Sequence, residues 1–192
     1  MHAAPQPVSP GTGNGMSGKV IALVLVICCA LAGGGLYYLQ VYGFYDEIPP
    51  SGASDVLLTT LHSGAPEPIN HEEFQAIDAE SSPLRYRACF TTSMSLATLT
   101  ETYAVHDDPV PNVAPGWFSC FDASEIGAAL ERGSAIAFLG TRNIAYGFDR
   151  VVAVSGDGQG YVWHQLNRCG ERHFNGESLP EDCPPPPPRE SQ

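Results

Sequence analysis

The sequence predicts an α+β fold: an N-terminal transmembrane helix, then one small domain in which an antiparallel sheet carries two or so packed helices. Three observations lead there. Val20–Leu39 (VIALVLVICCALAGGGLYYL) is a run without a charge. At ~1.5 Å per helical residue it reaches ~30 Å, the thickness of a bilayer's hydrocarbon core. Beyond it, short apolar runs alternate with Gly, Pro and Asp turn signals, and two of them flank GDGQG at 156–160 as the arms of a hairpin would. Between those runs, two stretches show helical spacing behind capping residues.

In order, residues 1–19 read as a disordered cytoplasmic arm, because MHAAPQPVSPGTGNG is proline, glycine and small polar residues without periodicity. Met16-Ser17-Gly18-Lys19 reads as an alternative start directly ahead of the apolar run. Residues 20–39 are the transmembrane helix. Cleavage as a signal peptide after Ala32 is the competing reading, from the small-x-small Ala30-Leu31-Ala32. The hydrophobicity that continues to Leu39, and Tyr37, Tyr38, Tyr42, Phe44 and Tyr45 at the exit like an interfacial belt, favour a retained anchor. A lipoprotein fits less well, since Ile27 precedes Cys28 where a small residue is wanted.

Residues 40–53 read as a juxtamembrane linker and 54–183 as the domain. Asp55–Leu61 is predicted as a first strand, broken by Gly64–Pro68, while Asn70–Ile77 is ambiguous between strand and helical turn. Leu84–Thr91 alternates, with Leu84, Tyr86, Ala88 and Phe90 on one face and Arg85, Arg87, Cys89 and Thr91 on the other. Ser93 is expected to cap a helix over Met94–Ala104, and Asp107–Gly116 is a loop. Asp122-Ala123-Ser124-Glu125 resembles a capping box opening a helix that ends at Gly133, with Ile126, Ala129 and Leu130 inward. Ala135–Leu139, Arg150–Ser155 and Tyr161–Asn167 read as strands, the second apolar enough to be covered on both faces. A final strand is expected at His173-Phe174, and residues 184–192 form a proline-rich tail.

Charge bounds the partners. The formal net charge is −12, and every one of the 21 acids follows residue 45. Such a domain repels phosphate and anionic lipid headgroups, so nucleic acid is excluded as a partner. Lys19 ahead of the span, against Asp46 and Glu47 behind it, orients the N-terminus to the cytoplasm and the domain outside, which in a bacterium is the periplasm.

Of six cysteines, Cys28 and Cys29 lie in the span and behave as small hydrophobes. Cys89, Cys120, Cys169 and Cys183 suit disulfides in an oxidising compartment, with Cys89–Cys120 and Cys169–Cys183 the favoured pairing of three. Two sharper readings compete. His164, Cys169, His173 and Cys183 are zinc-type ligands, but H-x4-C-x3-H-x9-C is no recognised spacing, so no metal and no cofactor are expected. Cys89 beside Arg85 and Arg87 would suit a reactive thiolate, although no base is placed near it by the sequence.

A small-ligand site, if present, would draw on Arg85 and Arg87 as anion donors and on Trp163 and His164, which sit in a strand (YVWHQLN) whose faces are neither wholly polar nor wholly apolar. The plainer readings are solvent-facing ion pairs for the arginines and internal hydrogen bonds for Trp163 and His164. There is no Walker or dinucleotide glycine motif, no G-x-S-x-G and no H-E-x-x-H, so an enzyme is the minority reading.

Several strings taken together, MSGK, YYLQVYGFY, SSPLRYRACF, LTETY, APGWFSCFDA, IAFLG, DRVVAV, WHQLNRCGE and CPPPPP, resemble an uncharacterised family of small single-pass membrane proteins from alphaproteobacteria, a domain of unknown function. The resemblance covers nearly all of the chain after residue 15 and implies an envelope protein of this layout, without an activity or site residues. Some members carry the label histidine kinase. These residues do not support it, because about 150 residues cannot supply both a dimerisation helix pair and a nucleotide-binding domain. The expected function is therefore a single-pass inner-membrane protein whose acidic periplasmic domain binds an envelope protein partner. A small-ligand sensing module is the alternative, and a thiol- or zinc-dependent enzyme comes third.

Overall fold

The structure, a computed structural model, describes residues 17–188. Residues 1–16 of the expected arm, with the alternative start at Met16, and residues 189–192 of the expected tail lie outside the described residues. The chain divides into two units, Met1–Gln40 and Val41–Gln192. In the first, α1 (Gly18–Tyr38) starts two residues ahead of the charge-free run and buries none of its side chains. It is long and apolar enough to cross a membrane. A π-helical turn, Leu39–Gly43, follows it.

The second unit is the α+β domain. Its main sheet holds β1 (Asp46–Ile48), β4 (Glu72–Asp78), β5 (Arg87–Thr91), β8 (Gln159–Leu166), β7 (Phe148–Ser155) and β6 (Ala135–Ala145), in that spatial order. Every pairing is antiparallel. A two-stranded sheet pairs β2 (Leu57–Thr59) with β3 (Pro66–Pro68). The helices are α2 (Leu96–Thr102), α3 (Ala123–Glu131) and α4 (Arg168–Phe174).

Both faces of the main sheet are covered, and β7 shows why its sequence is continuously apolar. Val152 and Val154 join Leu58, Phe90, Leu99 and Phe138 on one side. Val151 and Ala153 join Ile77, Phe121, Ile126 and Trp163 on the other. Leu99 comes from α2 and Ile126 from α3, so the two helices close opposite faces. Each of the valine, leucine, isoleucine and phenylalanine side chains contributes about 1.5–3 kcal/mol on leaving water. Phe90 lies directly across β8 from Gly160. A Cβ at Gly160 would sit 2.1 Å from the Phe90 ring, so only glycine leaves room for that ring.

Several expected elements take a different form. The strand expected over Leu84–Thr91 begins only at Arg87, because Pro83 starts a 3-10 turn, Pro83–Arg85, that Ser82 caps through its side chain to the Leu84 N–H. The helix expected behind Ser93 is instead capped by Ser95, whose hydroxyl accepts from Thr98 N. Thr92 holds the chain extended up to that point: its N–H bonds Gly158 O and its Oγ1 accepts from Met94 N. That helix stops at Thr102 because Tyr103 and Ala104 are drawn into bridges with Thr60 and Thr59.

The strand expected at His173-Phe174 is α4. Asn167 caps it by accepting from Gly170 N. The ambiguous 70–77 segment is strand β4. The breaker at 64–68 contains the edge strand β3, whose two prolines lack a donor and so tolerate only one-sided pairing. Within the stretch expected as a linker, Asp46–Ile48 joins the sheet edge as β1, and Tyr42 and Tyr45 pack at 6.3 and 6.1 Å from the Trp117 ring.

Candidate functional site

The four residues expected to line a small-ligand site are drawn on by the fold itself. Arg87 is buried, and all four of its hydrogen bonds end on backbone carbonyls: Nε to Asn112 O (2.8 Å), Nη1 to Leu84 O (2.7 Å) and Tyr86 O (2.6 Å), and Nη2 to Val113 O (3.1 Å). It is a staple between β5 and the 107–116 loop, not the solvent-face ion-pair residue of the plainer expectation. Burial lowers its pKa to about 10. Arg85 lies half-buried with its guanidinium 5.4 Å from the Tyr45 ring, and its Nη1 has no hydrogen-bond partner. Trp163 is fully buried and donates from Nε1 to Gln165 Oε1 (3.3 Å).

His164 is buried with both ring nitrogens engaged. Nδ1–H donates to Pro83 O (2.7 Å) and Nε2 accepts from Arg150 Nε (2.9 Å), a pattern that requires the neutral imidazole. Burial, reinforced by the Arg150 charge, lowers its pKa to about 4. Its ring stacks on Tyr86 at 4.8 Å, and the Arg150 guanidinium lies 4.2 Å from the same tyrosine ring. These partners leave Arg87, Trp163 and His164 no free polar atom to offer a ligand.

Cys89 pairs with Cys120 and Cys169 with Cys183. Both competing cysteine readings fail on that fact: the Cys89 sulfur is oxidised rather than a thiolate, and two of the four zinc-type ligands are bonded to each other. Among the described residues no group of three or more His, Cys, Asp or Glu is arranged to hold a metal ion.

The arrangement with the richest chemistry lies elsewhere, in an open cleft of about 660 Å³ where the β6–β7 turn, the β8–α4 junction, the 105–110 loop and the segment around Asp182 converge. Asn143 is the key to the turn. It sits at φ 49°, a left-handed conformation that asparagine tolerates through its own side-chain bonds. Its N–H donates to Asp149 Oδ1 (2.8 Å), and its Oδ1 accepts from Gly147 N (3.2 Å) and Asn167 Nδ2 (2.9 Å). Asn167 Nδ2 also donates to Asp149 Oδ1 (2.7 Å), while Asn167 caps α4. Gly147 and Gly170 cross so closely that a Cβ on Gly147 would lie 2.5 Å from Gly170 Cα.

This knot fixes Asp149 in the floor, 6 % exposed. The 105–110 loop forms one wall, tied down by His106 N to Ala137 O (2.9 Å), Val110 N to Gln165 Oε1 (2.9 Å) and Gln165 Nε2 to Asp108 O (3.1 Å). Burial holds the His106 imidazole below its ordinary pKa, against the opposing pull of Asp149. The opposite wall is α4 with the Cys169–Cys183 strap, reinforced by an Arg168–Asp182 ion pair and by Tyr146 OH to Pro184 O (3.2 Å).

The lining has no serine or threonine, and its one cysteine is disulfide-bonded. None of its residues was singled out from the sequence except Cys169. The one signal was Asp149 itself, an acid two residues ahead of the buried run Val151–Val154.

The segment from residue 56 to residue 184 matches the model of a family of unknown function (DUF6446). No curated protein and no solved structure matches the chain. The chain belongs to that family.

Proposed function

We propose that this member of the family is a single-pass inner-membrane protein whose acidic domain lies in the periplasm and binds another envelope protein through the cleft floored by Asp149. The observation that carries the binding role is the make-up of that cleft. Val105, Val110 and Leu166 line it 52 %, 61 % and 39 % exposed, beside a carboxylate held by two donors, Asn143 N and Asn167 Nδ2. Aliphatic rim and polar floor together are the composition of a protein-binding surface. The placement is supported by α1, by Lys19 in its first turn ahead of the charge-free run, and by two disulfides, which persist in oxidising compartments.

The test is site-specific photocrosslinking in native membranes, with the crosslinker at Val110 and, as a control, at the exposed Glu131 on α3. The reading expects one discrete adduct from Val110 and none from Glu131. Equal labelling at both positions, or none at Val110 and Val105, overturns it.

A further inference from the structure

We infer that the segment received by this cleft carries a basic side chain, lysine or arginine, between aliphatic residues, with its cation against Asp149. This rests on the cleft being the interaction surface, and it adds the chemistry of the occupant.

The first support is the state of Asp149. Its Oδ1 takes two donors, Asn143 N and Asn167 Nδ2, and its Oδ2 takes none from the described residues. The ion pairs of the described residues are His71–Asp55, Arg168–Asp182 and Arg172–Glu177, so no cation reaches Asp149 within 4.0 Å. A buried carboxylate is normally matched by a cation or by a full set of donors. Here the matching is half complete, and the open oxygen belongs to a residue that lines the cleft.

The neighbouring bases do not complete it. Arg168 is engaged by Asp182, and Arg150 by His164 and Tyr86. Arg142 is exposed and, like His106, makes no ion pair with Asp149 within 4.0 Å. The second support is the surrounding field. Five carboxylates line the cleft against two guanidiniums, which draws a cation toward the opening and repels an acidic segment. The third is the lining: the exposed Val105, Val110 and Leu166 offer apolar contact in the same cleft as the charge, which a bare inorganic cation would leave unused.

The probe is a set of fluorescein-labelled seven-residue peptides, each with one central residue (lysine, arginine, norleucine or glutamate) between valines and leucines. Binding is read by anisotropy on the full chain in detergent micelles. The lysine or arginine peptide is expected to bind about tenfold tighter than the norleucine peptide. Asp149→Asn, which keeps an acceptor for both donors, is expected to erase that difference while the near-UV circular dichroism stays unchanged. Should Asp149→Asn unfold, the peptide series on the unaltered protein still decides, as does the loss of the lysine peptide's advantage in high salt.

Equal binding of basic and neutral peptides overturns the inference and leaves the interaction surface standing. Binding of no peptide overturns the inference, whereas failure of the Val110 crosslink overturns the underlying reading. Displacement of the lysine peptide by spermidine at matched concentration would assign the site to small cations instead, and overturn the peptide.

Discussion

Replacing Arg87 by alanine tests whether that arginine is part of the fold or part of a binding surface. The side chain makes four hydrogen bonds to backbone carbonyls, and two of the acceptors, Leu84 O and Tyr86 O, sit at the sheaf of backbone beside its own strand. Truncation lets water reach Asn112 O and the exposed Val113 O, but leaves the Leu84 and Tyr86 carbonyls unsatisfied at about 1–3 kcal/mol each. Relief of the buried guanidinium, whose pKa is lowered to about 10, offsets part of that loss. The net expectation is about 3 kcal/mol of destabilisation, and at ~2–4 °C per kcal/mol for a domain of this size, a fall in Tm of about 6–12 °C. Thermal unfolding of the full chain in detergent, followed by near-UV circular dichroism, measures it. Hydrogen exchange should show amides of the 110–116 segment losing protection before the rest of the domain does. Arg87→Lys is expected to recover less than half, because one ammonium cannot span acceptors arranged around a planar fork. An alanine variant within about 1 kcal/mol of the parent, or full rescue by lysine, would refute the staple.

Three further outcomes follow from named contacts. His164 has a folded pKa of about 4 against an ordinary 6.5, so the unfolded chain binds more protons; stability is complete above pH 6.5 and declines as pH falls toward 4, by at most about 3 kcal/mol. A His164→Gln variant should lose that segment of the pH profile in urea titrations, and an unchanged profile would dismiss the assignment. Gly160→Ala places a Cβ 2.1 Å from the Phe90 ring and should cost about 3 kcal/mol. Phe90→Leu in the same chain should cost less than the two single changes added, and strict additivity would deny the contact. Cys169→Ser with Cys183→Ser should open residues 176–182 to limited proteolysis and lower stability by about 3 kcal/mol. Cys89→Ser with Cys120→Ser removes a tie over 31 residues to a buried strand and should lower stability by about 4 kcal/mol.

What could be read from the sequence, and what could not, divides by physical cause. Val151–Val154 announced a doubly covered strand because burial on both faces leaves no polar positions, and Asp122 announced α3 because its carboxylate caps Ser124 and Glu125 within the same few residues. Asn167 hid α4 because it is the single residue between β8 and the helix that it caps, leaving no linker to mark the change, and seven residues are too few to establish a helical period. Ser93 and Ser95 are equivalent caps locally; the choice was made by Thr92 and its long-range bond to Gly158. Arg85 and Arg87 looked like a solvent face because an Arg-x-Arg-x-Cys pattern is polar, whereas the second face of the sheet is closed by Phe118, Phe121 and Trp163 from distant segments. The cleft was not legible, since Asn143, Asp149 and Asn167 meet only after two hairpins have formed.

That convergence leaves a question about Asp149 that its hydrogen bonds alone do not answer. Both donors it receives end on Oδ1, an atom that asparagine also possesses, so the knot at the β6–β7 turn needs an acceptor there and not a charge. A carboxylate that served the fold alone would be a poor choice at 6 % exposure without a cation in reach, because an amide meets the same donors without the cost of burying a charge. Asp149→Asn should therefore leave the chain as stable as the parent, or more stable by up to about 1 kcal/mol, when unfolding is measured in urea at neutral pH. The amide's N–H₂ would face the cleft, where water can accept from it. A stability equal to or above the parent's separates the negative charge from the architecture and leaves recognition of a cation as its use. A loss of several kcal/mol would mean that the charge itself holds the turn, and the basic side chain in the cleft would then be decided by the peptide series on the unaltered protein alone.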